Sequence, residues 1–333
     1  MHMKNLTPLP QPAVPSITLK NAEKAAASYA RGSRAAATWR AYESDWRIFA
    51  GWCQAVGETA LPATPHTVAL FLAAQADLGH APSTLDRRRA AIRLVHVGAK
   101  LASPHDALEV DEVLRGIRRA WKRPPNQKAP AVDEEVQRLV EAVEPQTLQG
   151  LRDRALVLLG FASALRRSEL VALDAEHLER RPEGFALRVA SSKTDQEGHG
   201  EVVAILRVAD SAYCPVQAVL DWLVVAEIRT GAVFRRMHRG DRLGASRLTD
   251  QSVALVIKRL ALRAGLDPER YAGHSLRSGF LTSAARRRAN IFKMADQSRH
   301  RSLDTVRVYV RDAERFEDHA GAGLLRGSGD EPR

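Results

Sequence analysis

The stretch His300-Arg301-Ser302-Leu303-Asp304-Thr305-Val306-Arg307-Val308-Tyr309 decides how this chain reads. It has a helical apolar period, with Leu303, Val306 and Val310 expected as a buried stripe and Ser302 placed to cap the first turn. A histidine opens it, and nine residues later comes a tyrosine offset from that stripe. Taken alone, such a tyrosine is ordinary half-buried packing. Two upstream segments change its meaning. His274-Ser275-Leu276-Arg277 puts a histidine and an arginine on one helical face, and Ala164-Leu165-Arg166-Arg167-Ser168-Glu169-Leu170 adds arginines at the end of an apolar helix.

These residue types suit one chemistry. Breaking a phosphodiester needs an in-line nucleophile, stabilisation of charge on the non-bridging oxygens, and a proton for the departing oxygen. A phenolate attacks well and leaves well in the reverse step. A tyrosine pKa of about 10 means that cations nearby must help it ionise. Arginine offers phosphate a planar fork that keeps its charge. Catalysis of this kind rests on positioning and electrostatics.

In order and spacing the parts resemble the tyrosine recombinase (phage integrase) family, over about residues 25–325. The resemblance implies that Arg166, rather than Arg167, is the first catalytic arginine, with Glu169 orienting its surroundings. Lys193, in Ser191-Ser192-Lys193-Thr194-Asp195 between two strand-like runs, would protonate the leaving 5′ oxygen. Arg277 would be the second phosphate clamp, His274 a proton-transfer partner or hydrogen-bond donor, His300 a third phosphate ligand and Tyr309 the nucleophile. The family usually has glycine before this histidine, whereas Arg299 stands here. Glycine admits backbone conformations that arginine resists, so a changed turn is expected. The resemblance further implies a 3′-phosphotyrosine intermediate and four protomers exchanging strands through a Holliday junction on double-stranded DNA with an inverted-repeat core site. No metal or cofactor is expected, and no GxxxxGK[ST] motif occurs.

Fifty Lys and Arg oppose 39 Asp and Glu, a surplus of +11 that favours a polyanionic partner. Residues 1–130 hold 18 of those cations against 10 anions, so most of the surplus lies there. The expected fold is mainly α: an N-terminal helical bundle, which the resemblance makes a core-binding domain, and a mainly helical catalytic domain with a small antiparallel sheet.

The pattern divides into a disordered lead-in (1–20), the bundle (21–123), a linker (124–131), the catalytic domain (132–315) and a tail (316–333). Bundle helices are expected over 36–56, from Pro65 through Leu72, over 82–98 and over 107–121. Trp39, Tyr42, Trp46, Phe49 and Trp52 recur at helical intervals and read as core for the most part. Arg87, Arg88, Arg89 and Arg93 cannot share one helix face, so at least two should project as a phosphate-facing ridge. Arg118, Arg119, Lys122 and Arg123 end the next helix, and Lys128 lies in the Pro-rich linker; all are DNA-contact candidates. The family implies a C-shaped clamp around the duplex. Phe316, Leu324 and Leu325 would anchor the tail on a neighbouring protomer.

Cys53 and Cys214 lack any disulfide or zinc-ligand spacing, and Cys214 before Pro215 reads as a buried thiol. No apolar run has membrane-spanning length and no signal peptide opens the chain, so a cytoplasmic place is expected. With about twenty residues before the bundle, a separate arm-site domain is not expected. Two rivals stand beside the recombinase reading: a type IB topoisomerase-like nicking and closing enzyme, and a catalytically silent site-specific DNA-binding protein.

Overall fold

Capping side chains, prolines and glycine turns mark where many helices of this chain begin and end. The computed structural model describes residues 19–122, 128–189, 201–313 and 321, and divides the chain into two units between residues 125 and 126. The architecture is mainly helical with small antiparallel sheets.

The first unit contains α1 (Leu19–Gly32), α2 (Ala36–Val56), α3 (Pro65–Asp77), α4 (Pro82–Gly98) and α5 (Leu108–Ala120). Thr64 caps α3 by accepting from the Thr67 amide, with Pro65 in the first turn. Gly57 ends α2 in the left-handed conformation at φ 76°. The four expected helices are α2–α5; α3 runs further than expected, and α1 adds a fifth, largely exposed helix. Phe49, Phe71, Leu72, Leu85, Ile92 and Leu114 form the core, with Trp46 and Trp52 packed against it. Trp39 and Tyr42 differ from the rest of that aromatic stripe, because the Arg34 guanidinium lies 5.6 and 6.0 Å from their ring centres.

The second unit opens with α6 (Asp133–Glu141), α7 (Leu148–Ala162) and α8 (Arg167–Ala172). A three-stranded antiparallel sheet follows in the order β1 (Leu178–Arg181), β2 (Gly184–Val189), β3 (Glu201–Leu206). Next come α9 (Pro215–Val225), the hairpin β4 (Arg235–His238) and β5 (Arg242–Arg247), α10 (Asp250–Arg263), α11 (Ser275–Arg286), α12 (Ile291–Ser298) and α13 (Leu303–Ala313). Only β2 and β3 have the apolar alternation that reads as strand; β1 and β4 are four residues long, and β1, β4 and β5 are rich in arginine.

Helix α7 is the centre of the unit, buried from Ala155 through Gly160. Around it pack Leu187, Val203, Trp222, Phe234, Ile257 and Leu276. Gly279 lets α11 press on the chain at Ala131, where a Cβ would lie 1.7 Å from the Ala131 carbonyl oxygen. The Ala131 amide also donates to Ser275 O at 2.8 Å, tying the start of α11 to the segment that leads into α6. A smaller core of Leu281, Ala285, Met294, Ala295 and Val306 joins α11, α12 and α13, with Tyr309 and Val310 partly buried on it. Leu303, expected in that stripe, is exposed. Cys53 and Cys214 are buried free thiols, and Cys214 Sγ accepts from the Gln217 amide at the start of α9. Among the described residues no helix is long and apolar enough to cross a membrane.

Candidate active site

Two sharp turns bring the basic residues together. After α7, Ala164 takes a left-handed conformation at φ 48°, which costs a residue with a Cβ about 1 kcal/mol or more. Its carbonyl thereby accepts from Arg277 Nη1 at 2.6 Å. Arg166 then leads into α8 and is held at two points by Glu169. Its amide donates to Oε2 at 2.7 Å and its Nη1 to Oε1 at 2.8 Å. Neighbouring Arg167 is engaged elsewhere, with Nε 3.2 Å from Asp250 at the start of α10. Gly273 makes room for it, since a Cβ there would meet Arg167 Cδ at 2.8 Å.

Arg277, on the buried face of α11, is the hub. It is 6% exposed, and its Nη2 lies 3.2 Å from His300 Nε2. Among the described residues no carboxylate makes a hydrogen bond or ion pair with it. Burial, then the charge of Arg166, lowers its pKa to about 10. His300 follows the turn that ends α12. Ser298 Oγ donates to Met294 O at 2.6 Å, so it receives the Nδ1 proton of His300, 2.7 Å away. Burial, then Arg277, Arg166 and Arg299, push the His300 imidazole down to about 4. His274 heads α11, where burial and then Arg167, Arg277 and Arg166 lower its pKa. Burial raises the Tyr309 phenol, and Arg277 opposes that shift. In α13, Ser302 Oγ accepts from the Asp304 amide at 3.2 Å.

Arg166, His274, His300 and Tyr309 thus gather around Arg277, and Glu169 braces Arg166. Lys193 lies outside the described residues. Arg299 was expected only to disturb a turn; its side chain is in fact buried among these groups. A charged residue at a helix end, next to a histidine, carries no sequence signal for inward burial. Among the described residues no group of three or more His, Cys, Asp or Glu side chains is arranged to hold a metal ion.

The DNA-contact candidates separate sharply. Arg88 is buried against Gln75 and Asp45, and Arg89 donates to His105 O and sits 2.8 Å from Asp111, so neither guanidinium projects as the expected ridge. Tertiary partners inside the unit have taken both. Arg87 is half-exposed and bound to Asp45 through Nε at 2.6 Å and Nη2 at 3.0 Å. Arg118 pairs with Asp86 at 2.5 Å, and Lys128 donates to Glu269 O at 2.6 Å. Arg93, Arg119 and Lys122 are exposed. Arg123 lies outside the described residues.

Residues 132–315 match the model of the phage integrase family, and residues 28–102 match that of the phage integrase N-terminal SAM-like domain. An integrase/recombinase xerD homolog of Selenomonas ruminantium is 39% identical over 291 residues, covering 86% of this chain and 85% of its own. Tyrosine recombinase XerD of Caulobacter vibrioides is 25% identical over 296 residues, covering 84% and 88%. Among solved structures, the Tn1549 transposon integrase in complex with transposon right end DNA aligns with a TM-score of 0.59 at 14% identity, covering 87% of this chain and 95% of that one. At that identity the likeness is one of fold.

Proposed function

The chain belongs to the phage integrase family, and from that premise we propose that it is a site-specific DNA recombinase that cuts and rejoins strands through Tyr309. The observation that carries this reading is Arg277. A buried guanidinium without a carboxylate partner is costly, and a second arginine nearby makes it more so. A phosphate bound between Arg166 and Arg277 would offset that cost, and Tyr309 lies in the electrostatic reach of the same guanidinium.

In the reaction, Tyr309 Oη attacks phosphorus, the bond to the 5′ oxygen breaks, and a 3′-phosphotyrosine forms. The bond energy stays in that link, so the reverse attack by a 5′-hydroxyl needs no nucleotide. Burial keeps the phenol protonated without DNA. His274, held neutral by burial and its neighbouring arginines, is fit to take the phenolic proton. Lys193 is assigned to protonate the leaving 5′ oxygen. Arg166 and Arg277 stabilise charge on the non-bridging oxygens, and His300 joins them.

We assign DNA contact in the bundle to Arg93, Arg119 and Lys122, with Arg118 available at the expense of an exposed ion pair and Arg87 only by leaving the buried Asp45 carboxylate. The residue boundaries read from the sequence divide the labour into core binding (21–123), linker (124–131), catalysis (132–315) and subunit coupling (316–333). The partner is double-stranded DNA carrying inverted repeats, and four protomers act on two such sites. The tail anchors Phe316, Leu324 and Leu325 lie outside the described residues.

The test is to trap covalent adducts on a nicked duplex whose cleaved end diffuses away, then map the modified residue. Attachment at Tyr309 is expected; an adduct elsewhere, or none with active protein, overturns the assignment.

A further inference from the structure

Residue 299 is an arginine where the family usually has glycine, and the turn nevertheless keeps a glycine conformation. Arg299 ends α12 at φ 55° and ψ 49°. Its amide donates to Asp296 O at 3.2 Å and the next, of His300, to Ala295 O at 3.1 Å. A left-handed arginine is strained relative to glycine. Its side chain then turns inward and is 2% exposed. Nη2 donates to Glu169 Oε2, and Nε lies 2.9 Å from Glu201 Oε2 at the start of β3. Among the described residues Nη1 and Nε are sealed from solvent without a hydrogen bond, Nε having only its ion-pair contact with Glu201. Backbone strain, a buried charge and two unbonded donors meet in one residue, a combination that persists where surrounding structure over-determines it.

Arg299 reaches two of the basic groups at once. Glu169 fixes both the amide and the guanidinium of Arg166. Arg299 binds the same carboxylate from the opposite side, and the peptide bond that follows it leads directly to His300. We propose that Arg299 is a positioning residue for strand transfer, locking Glu169 so that Arg166 and His300 are set before DNA arrives, with Glu201 as its counter-charge. The proposal rests on Arg166 being a phosphate ligand.

Electrostatics around Glu169 supply a distinctive readout. Facing it are Arg166 from the start of α8, Arg299 from the end of α12, and Arg277 and His274 from α11. Burial alone would raise its pKa; Arg299 is the largest opposing charge, followed by the hydrogen bonds from Arg166, and the carboxyl ends below its usual range. Without Arg299, burial regains ground and Glu169 takes up a proton at higher pH. A protonated Glu169 no longer holds Arg166 by charge.

The experiment measures single-turnover cleavage against pH for full-length wild type, Arg299→Gly and Arg299→Lys, with DNA affinity and melting temperature alongside. Glycine suits the left-handed backbone, and lysine restores a cation. Arg299→Gly should bind DNA like wild type and cleave about ten- to a hundredfold more slowly, the range seen when groups that orient metal ligands are removed. Its rate should also begin to fall, on acidification, at a higher pH than in wild type. Arg299→Lys should recover part of the rate and move that limb back. If Arg299→Gly does not fold, Arg299→Met against Arg299→Lys gives the same comparison at conserved volume. A neutral variant with wild-type rate and profile overturns the proposal. So does a slow variant with an unmoved acid limb and no rescue by lysine, which would make Arg299 merely structural. Arg166→Ala serves as reference: normal cleavage there defeats the reading of Arg166 itself, whereas slow Arg166→Ala beside a normal Arg299→Gly removes only the present proposal.

Discussion

Arg88 in the first unit and Arg277 in the second are almost equally buried, at 5% and 6% exposure, yet their surroundings differ in kind. Arg88 meets the Gln75 side chain and the Asp45 carboxylate, and its neighbours Arg87 and Arg89 likewise end on Asp45 and Asp111. Among the described residues Arg277 hydrogen-bonds the Ala164 carbonyl and lies against the imidazole of His300, with Arg166 adding repulsion that Glu169 opposes from a distance. One buried arginine has a carboxylate partner within the fold, though burial still lowers its pKa. The other lacks a direct carboxylate partner and is suited to an anion from outside. Burial of an arginine therefore says little about its role until its carboxylate partners are known.

The largest effect that can break this contrast is on the nucleophile. Tyr309→Phe removes only the attacking oxygen, so covalent adducts on a nicked duplex should vanish while site-specific binding persists. Wild-type adduct levels in the variant would remove Tyr309 from the mechanism.

Next in size are the arginines themselves. Arg277→Met or Arg166→Ala should slow single-turnover cleavage by roughly 10²–10³, the usual loss for one preorganised charge donor. The same Arg277→Met should leave the melting temperature little changed, because it removes a buried charge that makes no direct ion pair, whose burial is itself costly, and keeps a similar volume. Arg88→Met should do the reverse. Gln75 and Asp45 are each left without this partner, at a cost of about 1–3 kcal/mol in stability, while cleavage by the folded fraction stays normal. Equal destabilisation by both methionines would mean that the two environments do not differ as described.

A smaller effect concerns the first unit's exposed cations. Replacing Arg93, Arg119 and Lys122 by alanine should lower the slope of log K against log salt by about 0.9 for each phosphate no longer neutralised. An unchanged slope would make them ordinary solvated surface and shift DNA binding to other residues.

The contrast also shows what a reader of the sequence could see. The expectation that Arg166, His274, Arg277, His300 and Tyr309 form one site could be read from the sequence because these residues sit on short local elements with recognisable starts. The destinations of Arg87, Arg88 and Arg89 were not. Three consecutive arginines find their partners Asp45, Gln75 and Asp111 on three other helices, with Arg87 and Arg88 sharing Asp45. The same limit hid Arg299, whose partner Glu169 is 130 residues away. It hid the β4–β5 hairpin too, where arginines occupy positions that apolar alternation would mark. Local pattern reports elements; long-range pairing decides which charges remain available.

The subtlest test uses protons. Burial, Arg277 and Arg166 hold His300 neutral down to about 4 in the folded chain, whereas an unfolded histidine protonates at about 6.5. Between those values the unfolded state binds more protons, so this residue makes stability fall as pH falls through that window. His274 is lowered as well and adds to the same trend, so the trend should weaken rather than disappear when His300 is changed. His300→Gln should therefore show a smaller loss of melting temperature between about pH 7 and pH 4.5 than wild type. Bound DNA should reverse the sign locally: a phosphate beside Arg277 and His300 stabilises the imidazolium, so affinity for the scissile site should rise on mild acidification in wild type and less in the variant. Parallel stability curves, together with identical pH dependence of binding, would show that His300 does not share the anion site of Arg277, and the contrast between the two buried arginines would then rest on Arg166 and Arg277 alone.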